Sequence, residues 1–175
     1  ISRPAEAIAA EVRELAERGV REITLLGQTV NAYGRHDVRR GRAAAAGTES
    51  FASLLRRLAR VPGIDRIRYT SPHPAFFDAD LVRAHGELAN LCPHVHLPAQ
   101  SGSNAVLRRM RRDYRVEEYL ERHRRLSAAR PGIAITTDFI VGFPGESDED
   151  FEASLRLLGA ARFENSFSFV FSPRP

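Results

Sequence analysis

Short runs of β-branched and aromatic residues alternate along this chain with longer segments in which apolar residues recur every three or four positions. The first kind predicts strands at 22–26 (EITLL), 66–70 (RIRYT), 94–97 (HVHL), 134–141 (AITTDFIV) and 166–171 (SFSFVF). The second predicts helices over 4–18, 51–61, 78–90, 104–111, 116–129 and 151–161. Strand starts recur about every 30 to 40 residues, the length of one βα unit. Repeated units of that kind build a parallel sheet, doubly wound or closed toward a barrel.

Local chemistry agrees with these boundaries. Pro4 stands where a helix tolerates a missing N–H, and Gly19 and Gly63 stand where helices stop. Ser147 followed by Asp150 has the spacing of a capping box ahead of the apolar positions Phe151, Leu155 and Leu158. Segment 43–47 reads as a small-residue loop inserted in an otherwise tight unit, without chemistry of its own.

Composition narrows the class. The chain has 175 residues, 43% of them apolar, enough to bury one core of ordinary size, so a single domain is expected. No apolar run approaches the roughly 20 residues that a bilayer-spanning helix needs, and a soluble protein is expected. The opening ISRPAEAIAAE has neither a charged-then-apolar leader nor an initiator Met, which reads as a mature or truncated chain. The single cysteine, Cys92, reads as structural, and one thiol is compatible with a reducing cytoplasm.

All 26 basic residues are arginines, with a formal net charge of +4. Eight fall between Arg108 and Arg125, and four more in RHDVRRGR at 35–42. They read first as solvated helix faces and a loop. The sharper alternative is a phosphate-contacting surface for RNA, with Arg108, Arg109, Arg111 and Arg112 as candidates.

Loops that leave the C-terminal ends of parallel strands build the site in such folds. Each predicted strand here is followed by a polar or glycine-bearing cluster: GQTVNAYG (27–34), SPHP (71–74), PAQSGS (98–103), GFPGES (142–147) and SPRP (172–175). Singly these are ordinary turn formers, but five on one predicted rim point to a shared cavity. Gln28, Asn31, Gln100, Ser101, Ser103 and Asp138 offer neutral hydrogen bonds and one carboxylate, suited to amino-acid, ribose or base edges. No Ser–His–acid triad assembles. His73, between two prolines, is a rim candidate, while His96 reads as a satisfied, inward-facing strand histidine. Strand alternation puts His94 and His96 on one face, with nothing to complete a tetrahedral metal set around them and Cys92.

In their order and spacing, LLGQTVNAYG, TSPHP, HLPAQSGSNAVLRRMRR, TTDFIVGFPGESDEDF and FSPRP resemble the radical S-adenosylmethionine (SAM) methylthiotransferases, most closely the bacterial branch that acts on isopentenylated adenosine in tRNA. The resemblance covers essentially the whole chain. It implies a partial (βα)6, TIM-like barrel of the radical SAM type, lacking its first strand and cluster loop. In that family a C-x-x-x-C-x-x-C loop for a 4Fe-4S cluster lies shortly before a segment like ISRPAEAIAAEV. An amino-terminal domain holds three cysteines for a second cluster, and an RNA-binding domain follows the barrel. All three are expected to lie outside these residues.

The implied cofactors are SAM and two 4Fe-4S clusters whose ligands are absent from this chain. The implied chemistry takes hydrogen from C2 of the isopentenylated adenosine by a SAM-derived 5′-deoxyadenosyl radical. Sulfur from the auxiliary cluster is then inserted, and a methyl from a second SAM caps it. The implied partners are the tRNA anticodon stem-loop, an electron donor and a sulfur source, for a cytoplasmic monomer without a membrane.

Carried onto this chain, the resemblance puts Gln28 and Asn31 by the SAM methionine moiety and the substrate, and Gln100 and Ser101 by the SAM ribose and carboxylate. Val141, Gly142, Phe143 and Pro144 lie beside the adenine. Asp138 and Arg174 face the cavity, Arg174 toward phosphate or a carboxylate. With no cluster cysteines, these residues alone are expected to be inactive and name no catalytic group. Branches acting on threonylcarbamoyladenosine in tRNA or on a ribosomal-protein aspartate remain alternatives, although the latter carries an Asp after the Gln of GQT and an isoleucine-containing stretch in place of SGS. An RNA-binding fragment without activity is the alternative of another class.

Overall fold

A computed structural model describes residues 2–35 and 49–173. They form two compact units, Ile1–Pro93 and His94–Pro175. The inserted segment 43–47, three of the loop arginines at 36–42 and Arg174 lie outside the described residues.

The first unit runs α1 (Ala5–Glu17), β1 (Glu22–Leu25), a 3-10 turn (Val30–Ala32), α2 (Phe51–Ala59), β2 (Arg66–Tyr69), a second 3-10 turn (Pro74–Phe76) and α3 (Ala79–Glu87). β1 and β2 pair in parallel from Glu22 opposite Arg66 to Leu25 opposite Tyr69, and Leu91 bridges Ile67 on the other side. Period-two burial follows: Ile23 and Ile67 are buried, with Leu54, Leu55 and Leu58 of α2. The alternate residues form a polar row in which Arg66 and Arg68 both donate to Glu22. Gly19 ends α1 at φ +90°, its N–H donating to Ala16 O at 2.9 Å. Ser50 and Asp78 cap α2 and α3.

The second unit runs β3 (His94–His96), α4 (Asn104–Arg109), α5 (Val116–Ala129), β4 (Ala134–Val141), α6 (Asp148–Ala161) and β5 (Asn165–Val170). Its sheet is parallel throughout, in the order β3-β4-β5. On one face of β4, Ile135, Thr137 and Phe139 are buried in a core that includes Tyr119, Leu126 and Leu157. Tyr119 satisfies its hydroxyl on Leu97 O at 2.7 Å, and Phe163 meets both Tyr119 and Phe139 with ring centroids 6.2 Å apart.

The opposite face of this sheet is polar and half exposed. His96 is satisfied there, with Nδ1 and Nε2 each 3.0 Å from Thr136 Oγ1 and Asp138 Oδ2. His94 reaches the same Thr136 Oγ1 at 3.3 Å, so the two histidines share a face as their spacing requires. The register sets Phe167 beside Asp138 and Phe169 beside Ile140, and both phenylalanines are about half exposed.

Element order follows the sequence pattern, and the ends shift by physical cause. α6 begins at Asp148, three residues before its first apolar position, because the Ser147–Asp150 capping box closes in both directions at 3.2 Å and three acids fill the first turn. Apolar periodicity is blind to such a polar first turn. Phe139, 2% exposed and set edge-on to Phe163, is the largest buried side chain of β4. Phe139→Ala in the full-length protein is expected to cost about 3–5 kcal/mol, read as a lowered urea midpoint.

Candidate functional site

In the first unit the loops after β1 and β2 are fastened to each other. Asn31, 2% exposed, donates Nδ2 to His73 O at 2.9 Å and accepts the His73 N–H on Oδ1 at 2.8 Å. Val30 N–H adds a bond to Ser71 O at 3.3 Å. The Asn31 amide thus replaces ladder hydrogen bonds at a point where the two strands have already parted. The His73 ring accepts the Ala75 N–H on Nδ1 at 3.2 Å and caps the second 3-10 turn. Gln28 is exposed and lines a groove of about 800 Å³ with Leu25, Leu26 and Gly27 on one side and Val12 and Leu15 of α1 on the other.

In the second unit the loops after β3, β4 and β5 come together around one continued ladder. Gln100 N–H donates to Asp138 O at 2.8 Å, Ile140 N–H to Gln100 O at 2.9 Å, and Phe171 N–H to Val141 O at 2.8 Å. Gln100 makes these bonds at φ +66°, the left-handed region that costs a side-chain-bearing residue about 1–2 kcal/mol. Non-glycine residues held there cluster at ligand sites.

Ser101 turns inward. It is 1% exposed, accepts the Ser103 N–H at 3.1 Å, and lies 3.4 Å from Ser154 Oγ. Gly102 sits so close to α6 that a Cβ would stand 2.3 Å from Ala153 O, and its N–H donates to Ser154 Oγ at 2.8 Å.

The loop after β4 is a turn closed by its own glutamate: Glu146 N–H donates to Phe143 O at 2.8 Å, and Glu146 Oε2 accepts the Phe143 N–H at 3.1 Å. Glu146 Oε1 is buried without a partner among the described residues. Gly142 adopts φ +69° with open space where a Cβ would be, so backbone conformation alone accounts for the glycine. Phe143 packs edge-on to Phe171 at 5.0 Å, which joins the loop after β4 to that after β5. Pro144 is exposed and Val141 half-buried.

The arginine run resolves into two kinds. Arg115, Arg122, Arg124 and Arg125 pair with Glu117, Glu118 and Glu121 on the surface of α5, contacts worth little each. Arg109 donates to Gly145 O at 2.8 Å and to Asp150 Oδ2 at 3.3 Å. Arg108 and Arg111 are exposed, with no ion pair among the described residues, and Arg112 is half-buried. Arg35 pairs with Asp78 and lies over the Phe76 ring at 5.6 Å.

Of the residues named from the sequence, Gln28, Asn31, His73, Gln100, Ser101 and the stretch Val141, Gly142, Phe143 and Pro144 lie at the C-terminal strand ends of their units, while Asp138 lies inside β4 beside Phe167. Sequence reasoning passed over Asp150 and Ser154 as partners of the loop after β3. The capping-box spacing marked Asp150 only as a helix start, and its bond to Ser103 spans 47 residues that no local pattern connects. Asp150 is held below the usual carboxylate range, first by the Ser103 hydroxyl, then by the Ser147 backbone N–H, with Arg109 adding to both. Burial pushes Tyr114 up to about 12.

The parallel α/β units, with ligand-suited loops at their strand ends, are those of the radical SAM superfamily. Its family model matches residues 1–158, and the chain belongs to it. Two relatives carry the name tRNA-2-methylthio-N(6)-dimethylallyladenosine synthase. That of Anaeromyxobacter dehalogenans is 62% identical over 175 residues, all of this chain and 35% of that protein. That of Acidithiobacillus ferrooxidans is 56% identical over 99% of this chain and 37% of that protein. The chain therefore spans about a third of the length of these relatives. Among solved structures, Streptococcus suis SuiB shares the fold, with a TM-score of 0.61 at 11% identity over 98% of this chain and 34% of its own.

The superfamily implies SAM and a 4Fe-4S cluster. A cluster does not fit the residues described: Cys92 is the single cysteine and is buried, and no group of three or more His, Cys, Asp or Glu side chains suited to a metal occurs among them. SAM does fit the second unit, where the backbone turn at Gly142, the orphaned Glu146 oxygen, the Gln100 amide and the Asp138 carboxylate offer acceptors and donors for an adenosine and an amino acid. No helix among the described residues is long and apolar enough to cross a membrane.

Since the folded pKa of Asp150 lies below its unfolded value near ~3.9, the stability it contributes is fully present above that value. It is lost only as pH falls through the lower folded value. A carbon-13 titration of the Asp150 carboxyl is expected to show a midpoint below that of a free aspartate.

Proposed function

We propose that this chain is the central part of a radical SAM methylthiotransferase that adds a 2-methylthio group to C2 of N6-isopentenyladenosine next to the tRNA anticodon. The observation that carries this reading is the run of five strand-end motifs in register, together with the 62% identity to a synthase of that name. In this reading the strands belong to a partial (βα)6 barrel. Parallel pairing of the strands within each unit supports it, since repeated βα units build such barrels.

When bound, SAM would supply hydrogen-abstracting power. The thiolates for both clusters belong to other parts of the longer protein. The work of this chain is binding, orientation and exclusion of water. Gln100, Asp138 and the backbone of 141–144 hold SAM, and the Phe143–Phe171 pair shields it. Asn31 and Ser101 act by position, since their polar atoms are engaged inside the protein. Gln28 and His73 face the substrate, and the exposed Arg108 and Arg111, with Arg112 and Arg174, meet tRNA phosphates. Arg109 belongs to the loop scaffold. The enzyme works in the cytoplasm as a monomer, with an electron donor and a sulfur source.

Nucleoside mass analysis of tRNA from a deletion strain tests this. The 2-methylthio form is expected to vanish while N6-isopentenyladenosine accumulates, and the full-length gene is expected to restore it. Loss of a methylthiolated threonylcarbamoyladenosine instead would move the protein to that branch, and unchanged tRNA would refute both.

A further inference from the structure

The first turns of α6 collect the chain from two loops. Asp150 Oδ1 accepts the hydroxyl of Ser103 in the loop after β3. Asp150 Oδ2 accepts the Ser147 N–H at 3.2 Å and Arg109 Nη2 at 3.3 Å, and the same Arg109 nitrogen donates to Gly145 O at 2.8 Å in the loop after β4. One turn on, Ser154 receives the Gly102 N–H. A capping box needs only the Ser147 bond. The bonds to Ser103 and Arg109 go beyond it, reaching 47 and 41 residues along the chain, and the Asp150 side chain is only 18% exposed.

We infer that Asp150 is a positioning residue for the cofactor: through Ser103 and Arg109 it locks the 98–103 and 142–147 loops into one rigid element, so that Gln100 and the 141–144 backbone are presented to SAM together. The inference rests on the SAM reading above. It explains how Gln100 is kept at a positive φ that it would leave if its loop were free. Charge-assisted bonds of this kind are the stronger and more directional ones, which suits a joint between two loops.

The test uses the full-length enzyme and the variants Asp150→Ala and Arg109→Gln. The second changes an exposed side chain and keeps the helix cap, so it reports on the tie even where Asp150→Ala folds poorly. Amide hydrogen exchange without ligand is expected to rise in both loops in both variants. Calorimetry is expected to give a SAM Kd about tenfold weaker, the equivalent of roughly 1.4 kcal/mol, with kcat at saturating SAM within about twofold of wild type. That split marks lost preorganisation and not lost chemistry.

Faster exchange confined to the 142–147 loop would reduce Asp150 to a helix cap and overturn the inference. So would an unchanged Kd in variants whose parent binds SAM. If the parent itself binds no SAM, the cofactor reading falls, and joint loosening of the two loops still decides the tie.

Discussion

Three backbone hydrogen bonds past the ends of the strands hold the second unit's working edge in place: Gln100 to Asp138, Ile140 to Gln100, and Phe171 to Val141. Parallel strands have no hairpin to carry register from one to the next, and each crossover returns through a helix. The ladder must therefore be continued by residues that have already left regular strand geometry. Gln100 does so at a cost of about 1–2 kcal/mol in backbone strain, offset by two hydrogen bonds worth about 1 kcal/mol each. Without that bend the loop after β3 would not seat on α6.

Seating is the second constraint. Gly102 has no room for a side chain against Ala153, and Ser154 takes up the amide that this approach would otherwise strand. The first unit solves the same accounting with a side chain in place of strand pairing, since Asn31 supplies both a donor and an acceptor to the His73 backbone. Both solutions spend polar side chains internally. In the proposed reading few groups meet a ligand: Gln28 and His73 in the first unit, and in the second the Gln100 amide, the Asp138 carboxylate and the turn from Val141 to Pro144.

Charge is sorted by the same logic. A run of eight arginines looks like one basic patch, yet the glutamates of α5 pair with four of them, three at helical spacing and Arg115 from just before the helix. Arg109 is drawn into the loop scaffold, and its guanidinium binds a carbonyl and a carboxylate at once. Arg108 and Arg111 keep their charge toward solvent.

By itself, and apart from the two 3-10 turns, the sequence determined the order and type of every described strand and α-helix, the parallel strand–helix alternation, the capping box at Ser147 and the strand-end positions of most of the candidate residues. These depend on period and on neighbours within a few positions, which a linear pattern records. Only the tertiary structure decided which candidates face outward. Asn31 and Ser101 read as ligand contacts because polar residues in glycine-bearing loops are usually exposed. Their partners His73 and Ser154 lie about 40 and 50 residues away, and the satisfaction of a buried polar atom by a distant group has no local signature. Asp150 shows the same limit most sharply: four residues of sequence identify a helix cap, and only folding brings Ser103 and Arg109 to its carboxylate.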